Sequence, residues 1–257
     1  MTNSPESAPA AKWRTPAIGD LSELAQARVE AINIVQWLAR IANSYVIAST
    51  PESRTRLEFR VERAAIATAE FDRGIALEIR LPMLELQFLE NGKPMPHVFD
   101  PEEHSPAELE AWLLVELLHR GIERQTFSKE LPYAIAGLMS GDAEDYSPSL
   151  CRQGLIRLTA LMRDAAAVLH AAVAGGGRGD TAVACLPQNL NLMSAPGAGA
   201  DSFAFSPGDA ANPEPYFYRL GGANGDRGQT TVKASTLMAE RDPAAAAVKL
   251  KQLAAPG

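Results

Sequence analysis

Potential metal ligands are concentrated between His97 and His104, where two histidines and three carboxylates fall within eight residues. Imidazole nitrogens and carboxylate oxygens suit zinc or a similar divalent ion, and catalytic zinc sites use three protein ligands and a water. We therefore take His97, Asp100 and His104 as candidate metal ligands. The alternative is structural, because acidic side chains just before a helix favour the helix dipole.

A second candidate site lies in the segment Phe203–Tyr218, which is rich in aromatic, acidic and turn-forming residues. Alternation along a strand places Tyr216 and Tyr218 on one face and Phe217 on the other. If Phe217 faces the core, both hydroxyls point toward Asp209 and Glu214. Aromatic rings with polar tips beside two carboxylates could bind a polar or cationic small molecule. The alternative is a buried, hydrogen-bonded corner of the fold.

The same segment contains strong turn chemistry. Ser206-Pro207-Gly208-Asp209 fits a type II turn, in which glycine supplies the positive φ of the third position. Pro213 and Pro215 then restrict the preceding residues to extended conformations.

The motif formed by Phe205–Asp209 and Pro213–Tyr218 resembles an uncharacterised bacterial family, described only as a domain of unknown function. Weaker similarity extends to the first helix and the final segment. The resemblance implies a bacterial origin and an α+β fold, and it implies no reaction. In that family a Trp-Pro-His-His-Phe-Asp-like stretch precedes the turn, whereas the corresponding Leu186–Asn191 contains neither histidine.

Glu116 and His119 occupy a helical segment that is apolar on nearly every side. We expect Glu116 to form an i,i+4 ion pair with Arg120; burial without that partner would raise its pKa and make it an acid–base candidate. His119 lies near the helix end, where it interacts favourably with the dipole. A helix of such uniform apolarity is expected in the interior, between layers.

Composition excludes several functional classes. The chain has 257 residues and a formal charge of −7, which argues against a nucleic-acid-binding or anionic-membrane-binding protein. No apolar run is long enough to cross a membrane, and the first residues lack the pattern of a secretory signal. The two cysteines, Cys151 and Cys185, are expected to be reduced thiols in a cytoplasmic protein.

Hydrophobic periodicity predicts the elements that position these residues. Helical spacing covers residues 20–45, a capped helix begins at Ser105-Pro106, a second long helix begins at Ser147-Pro148, and a last one follows Asp242-Pro243. Period-two alternation predicts strands from residue 55 to 99, with an Asn91-Gly92 hairpin, and again from 182 to 235. We predict one α+β domain over 19–257 after a disordered leader (1–18), with an internal linker at 174–181. Its mainly antiparallel sheet combines the N-terminal meander with the C-terminal strands, and several helices cover one face.

Two functions are compatible with this fold. The first is a small-molecule-binding protein or an enzyme of undefined reaction and cofactor, with a pocket around Asp209–Tyr218 that extends to the His97–His104 loop. The second is a non-enzymatic interaction or scaffold protein that acts as a homo-oligomer through a sheet edge or a helix face. The sequence alone does not separate them.

Overall fold

The computed structural model describes residues 12–15, 17–173, 183–194, 202–220 and 227–253. Within them, six α-helices are present: α1 (Leu21–Tyr45), α2 (Pro51–Arg54), α3 (Pro106–His119), α4 (Arg152–Val173), α5 (Ala234–Met238) and α6 (Pro243–Leu253). No described helix combines the length and apolarity that a membrane span requires.

In the described part of the chain, ten strands form a single sheet in which every neighbouring pair is antiparallel. Their bounds are β1 (Leu57–Arg60), β2 (Ala65–Ala67), β3 (Ile75–Arg80), β4 (Glu85–Glu90), β5 (Lys93–Phe99), β6 (Val183–Leu186), β7 (Asn191–Ser194), β8 (Ser202–Ser206), β9 (Tyr216–Leu220) and β10 (Arg227–Lys233). The strand order is β10-β9-β8-β7-β6-β1-β2-β3-β4-β5. The predicted α+β fold is confirmed, and the two meanders meet through β1 and β6 in the middle of the sheet.

The two halves of the chain have the same architecture. Each consists of a long helix (α1 or α4), a five-stranded antiparallel meander and a following helical segment. A detail of hydrogen bonding repeats as well. The Thr68 hydroxyl accepts from the Leu77 backbone N–H at 3.1 Å, and the Ser194 hydroxyl accepts from the Phe203 N–H at 3.2 Å. Thr68 directly follows β2 and Ser194 is the last residue of β7, so each hydroxyl lies at the end of the second strand of its meander.

The strand order is symmetric about the β1–β6 pair, with β1 to β5 on one side and β6 to β10 on the other. Glu58 lies opposite Ala184, while Leu57 pairs with Cys185 and Phe59 with Val183. The tight turns that follow β1 and β6 also match, since Ala64 (φ 50°) and Leu190 (φ 59°) both end them in the left-handed region.

The main core lies between the helices and one face of the sheet. Alternate strand residues such as Phe59, Leu77 and Phe217 enter it, together with the buried faces of α1 and α4. Tyr216 and Tyr218 belong to a separate cluster with Ala204, as the predicted alternation requires. Because the helices that contact the sheet bury these apolar side chains, the hydrophobic effect holds the two halves together.

Helices α1 and α4 approach each other closely at Gly154. A Cβ atom at this position would lie 2.3 Å from the Glu23 carbonyl oxygen and 2.9 Å from Ala27 Cβ. Neither neighbour can move away by changing a rotamer. Only glycine therefore allows this helix spacing.

Helix α3 differs from its prediction. One face is buried through residues such as Leu109 and Leu113, but Val115 and Leu118 are 46% and 52% exposed. The interior placement between layers is wrong, because α3 packs on strands β4 and β5 at the end of the sheet, where Trp112 contacts Phe88 and Phe99. No second layer covers its other side in the described part of the chain.

Part of the segment predicted as a disordered leader is held in place. Asp164 of α4 accepts hydrogen bonds from the backbone N–H groups of Arg14 and Thr15, and the Trp13 indole donates to the Glu240 carbonyl at 2.8 Å. Residues 1–11 and the predicted linker 174–181 lie outside the described residues. Both cysteines are free thiols, in line with the expected reduced state.

Candidate functional site

The tyrosine pair of β9 is buried and hydrogen-bonded to protein partners. Tyr216 donates to Asp209 Oδ2 at 2.7 Å, and the Tyr218 hydroxyl accepts from the Asn191 side-chain amide at 2.9 Å. Both rings are less than 5% exposed. These contacts are those of a hydrogen-bonded corner, and ligand binding by the tyrosines remains a prediction.

The two carboxylates of this corner also have protein partners. Asp209 Oδ1 accepts from the backbone N–H groups of Ala211 and Asn212, at 2.9 and 2.7 Å. Glu214 forms an ion pair with Lys233 at 3.1 Å and a short hydrogen bond with Ser235. Gly208 has φ 101°, as predicted for the turn, although the Asp209 N–H donates to the Asn212 carbonyl rather than back to Ser206.

The prediction that this corner and the His97–His104 loop share a pocket is wrong. Strand β9 is second from one end of the sheet, whereas β5, which contains His97, is the edge strand at the other end. Seven strands lie between β9 and β5. The prediction failed because the sheet topology decides which strands become neighbours.

The structure groups His97 differently from the predicted set of His97, Asp100 and His104. Asp100 Oδ1 accepts from the Glu102 N–H at 3.0 Å, and His104 Nδ1 lies 2.9 Å from the Glu102 carbonyl oxygen. These contacts stabilise the loop before α3. The side chain of His97 instead lies against α3, beside Glu116 and His119.

His97, Glu116 and His119 form a compact cluster. His97 Nδ1 lies 2.9 Å from Glu116 Oε1, and His119 Nδ1 lies 3.7 Å from the same oxygen. Glu116 and His119 are three residues apart on α3 and so share a helix face, while His97 comes from the edge strand β5. The capping box of Ser105 and Glu108 fixes the start of this helix.

Arg120 holds the carboxylate of Glu116 from the opposite side. Its Nη1 lies 2.7 Å from Glu116 Oε2, and its guanidinium stacks over the Phe88 ring at 4.3 Å from the centroid. The expected i,i+4 ion pair is therefore present. Burial raises the pKa of Glu116, but hydrogen bonds from Arg120 and His97 outweigh burial, so the pKa lies below its ordinary value. Glu116 is thus ionised at neutral pH and is not a general acid.

A cavity of about 270 Å³ lies beside this cluster. Its wall combines the end of α3, the start of β3, the end of β4 and the β5 strand. The lining residues are Asp72, Arg73, Ile75, Glu90, Met95, His119 and Arg120. The cavity therefore has three basic and two acidic side chains around a small volume, and His119 belongs both to the cavity and to the histidine–glutamate cluster.

The turn at one side of the cavity has an unusual backbone. Asp72, Arg73 and Gly74 all have positive φ, at 25°, 58° and 81°. Glycine suits the positive φ of residue 74, and a Cβ atom there would also lie 2.5 Å from Asn91 Oδ1, at the end of a side chain that can rotate. Backbone strain of this kind often occurs at functional sites, where packing around the turn maintains it.

Comparisons of the chain with protein-family models, with curated protein sequences and with solved structures found no match. The resemblance at Phe205–Tyr218 remains a prediction, and the function must be inferred from the geometry of the site.

Proposed function

We propose that the protein binds a small zwitterionic metabolite, with the size and charge pattern of an amino acid, in the cavity between α3 and the β3–β5 strands. The observation that supports this most directly is the lining of the cavity, where guanidinium and carboxylate groups occur together. Guanidinium groups recognise carboxylates through paired hydrogen bonds, and carboxylates recognise ammonium groups.

The volume restricts the ligand to a small one. Pockets for drug-sized ligands occupy about 300–1,000 Å³, and the cavity at about 270 Å³ lies below that range. Met95 and Ile75 supply the apolar part of its wall. A ligand with one acidic group, one basic group and a short side chain matches these features.

Arg73 is the lining residue that is best suited to a test. Its side chain is 76% exposed and forms an ion pair with the adjacent Asp72, at 3.3 Å. Arg120, in contrast, is 10% exposed and holds Glu116, so its replacement would perturb the fold. Asparagine tolerates the positive φ of residue 73, which makes Arg73→Asn a conservative change for the backbone.

The test is a thermal-shift screen with the twenty proteinogenic amino acids, with citrate and spermidine as purely anionic and purely cationic probes. We expect at least one amino acid to raise Tm in a saturable manner, since a ligand at 100 times its Kd adds about 2.7 kcal/mol of stability. Loss of the Arg73 contact should weaken binding about tenfold, as expected for a hydrogen bond to a charged group.

Arg241→Asn is the matched control. Arg241 is also highly exposed and also pairs with its neighbour, Asp242, at 3.0 Å, but it does not line the cavity. The proposal is refuted if no amino acid stabilises the protein, if only citrate or spermidine does, or if Arg73→Asn and Arg241→Asn bind equally well.

The alternative function as a homo-oligomeric scaffold has less support at the β5 edge of the sheet. Strand β5 is exposed along most of its length, but Pro94 and Pro96 cannot donate hydrogen bonds to an added strand. Lys93 adds a charge, which also disfavours edge-to-edge pairing.

A further inference from the structure

The histidine–glutamate cluster at the rim of the cavity has the composition of a transition-metal site. One ligand atom from each of His97, Glu116 and His119 can be chosen so that all three lie within 4.8 Å of one another. Among the described residues, these three form the single such group of histidine, cysteine and acidic side chains. Ligand atoms at this separation can bind one cation at bond lengths of about 2.0–2.2 Å after small side-chain rotations.

The ligand types define the class of metal. Two imidazoles and one carboxylate suit zinc and neighbouring first-row ions, whereas magnesium and calcium prefer sites made entirely of oxygen. Three protein ligands leave a coordination position open, as in catalytic rather than structural zinc sites. His119 lines the cavity, so that position is near the space assigned to the ligand.

The site is supported by rigid elements. Glu116 is 3% exposed and its Oε1 is directed toward both histidines, while Oε2 is held by Arg120 at 2.7 Å. Carboxylates that bind metals are commonly oriented in this way, by a hydrogen bond from a neighbouring side chain. His97 and His119 are 65% and 58% exposed, so both rings can rotate to a cation without disturbing the core.

The positive charge of Arg120 opposes binding of a cation. It is attached to Oε2, however, and the oxygen that faces the histidines is Oε1. The carboxylate therefore lies between the guanidinium and the position of the ion, as a shared anion. The ion is bound by direct bonds to two imidazoles and one carboxylate. The guanidinium lowers the affinity for the ion but does not take any of these three ligands away.

From this geometry we infer that His97, Glu116 and His119 bind one zinc-class divalent ion at the edge of the cavity. The inference does not depend on the proposed amino-acid ligand, because the ion needs only side chains of this chain and water. It assigns to His119 a function other than stabilisation of the helix end, and it replaces the ligand set that the sequence suggested.

The test is isothermal titration of the purified, chelator-treated protein with Zn²⁺ at neutral pH, repeated with Mg²⁺. We expect one Zn²⁺ per chain and no binding of Mg²⁺ at the same concentration. The single variants His97→Ala and His119→Ala should each bind Zn²⁺ at least about tenfold more weakly. Loss of a residue that only orients a metal ligand already lowers metal affinity by about 10- to 100-fold. Both side chains are more than half exposed, so both variants should fold.

The chain has four histidines, which allows a complete set of controls. His104→Gln and His170→Gln should bind Zn²⁺ as the unchanged protein does. Absence of Zn²⁺ binding in the unchanged protein overturns the inference, as does a His97→Ala/His119→Ala double variant that binds with unchanged affinity. The amino-acid screen uses Arg73, which is not a ligand of the ion, so failure of one proposal is distinguishable from failure of the other.

Discussion

Replacement of Gly154 by alanine sets two known effects against each other. In most helices the change is stabilising, because alanine exceeds glycine by about 1 kcal/mol in helix propensity. Here the added Cβ would lie 2.3 Å from the Glu23 carbonyl oxygen and 2.9 Å from Ala27 Cβ. Both neighbours belong to the backbone or to a side chain without rotamers. The helices α1 and α4 must therefore separate by about 1 Å, a gap that weakens many of their dispersion contacts.

The magnitudes favour a net loss of stability. Overpacking of a tightly packed interior costs about 1–3 kcal/mol, and an obstacle made of backbone corresponds to the upper end of that range. After subtraction of the propensity gain, we expect Gly154→Ala to lower the free energy of unfolding by about 2 kcal/mol. For a chain of this size, that corresponds to a decrease in Tm of about 4–8 °C.

The assay is thermal and urea unfolding followed by circular dichroism, with Gln153→Ala as the control. Gln153 is the exposed neighbour of Gly154 in α4, so its replacement changes propensity without adding a contact. Its effect should stay within about 0.5 kcal/mol. A Gly154→Ala protein as stable as the unchanged protein, or more stable, would show that propensity dominates and that the close approach of α1 and α4 is wrong.

Two further predictions concern the chain start and the thiols. Asp164→Ala removes the acceptor for the Arg14 and Thr15 N–H groups, and Trp13 should then leave its site. Tryptophan emission should therefore shift to the red in the Asp164→Ala protein. The same shift should be absent in an Asp164→Ala/Trp13→Phe protein. Burial raises the pKa of Cys151 to about 11 and also raises that of Cys185. At pH 8 roughly one Cys151 in a thousand is then a thiolate, so labelling of the native protein by a disulfide reagent should be slow and should accelerate about tenfold per pH unit. In guanidinium chloride, labelling of both thiols should be rapid. Rapid labelling of the native protein at pH 8 would contradict this burial.

Much of the secondary structure could be predicted because it depends on local patterns. The Asn91-Gly92 hairpin is confirmed, with φ of 49° and 75°, since only a few residue types adopt two successive positive φ values. Strand β2 lies within the predicted region of residues 55–99 but has no period-two signal of its own, because Ala65–Ala67 is three residues long and entirely buried. Helix α3 was placed in the interior because composition does not indicate how many layers surround a helix.

The candidate site was only partly accessible from sequence. His97, Glu116 and His119 each attracted attention, but as members of different local arrangements. Their contact depends on the packing of α3 against β5, which brings together residues 19 or more positions apart. The cavity beside them depends on the turn at Asp72–Gly74, for which no local pattern indicated a functional role. A histidine on an edge strand, followed by Glu-x-x-His on the next helix, is the signal that could have suggested the cluster.

The pairing of β1 with β6 has a consequence for folding kinetics. Within each meander, successive strands pair with their neighbours in sequence, so only short loops need to close. The contact between the halves, in contrast, joins Leu57–Phe59 to Val183–Cys185 and α1 to α4, which are far apart in the chain. Contacts of large sequence separation slow folding. Each half can therefore form its own hairpins rapidly, and the joining of the two halves across three residue pairs becomes the slow step that completes the sheet.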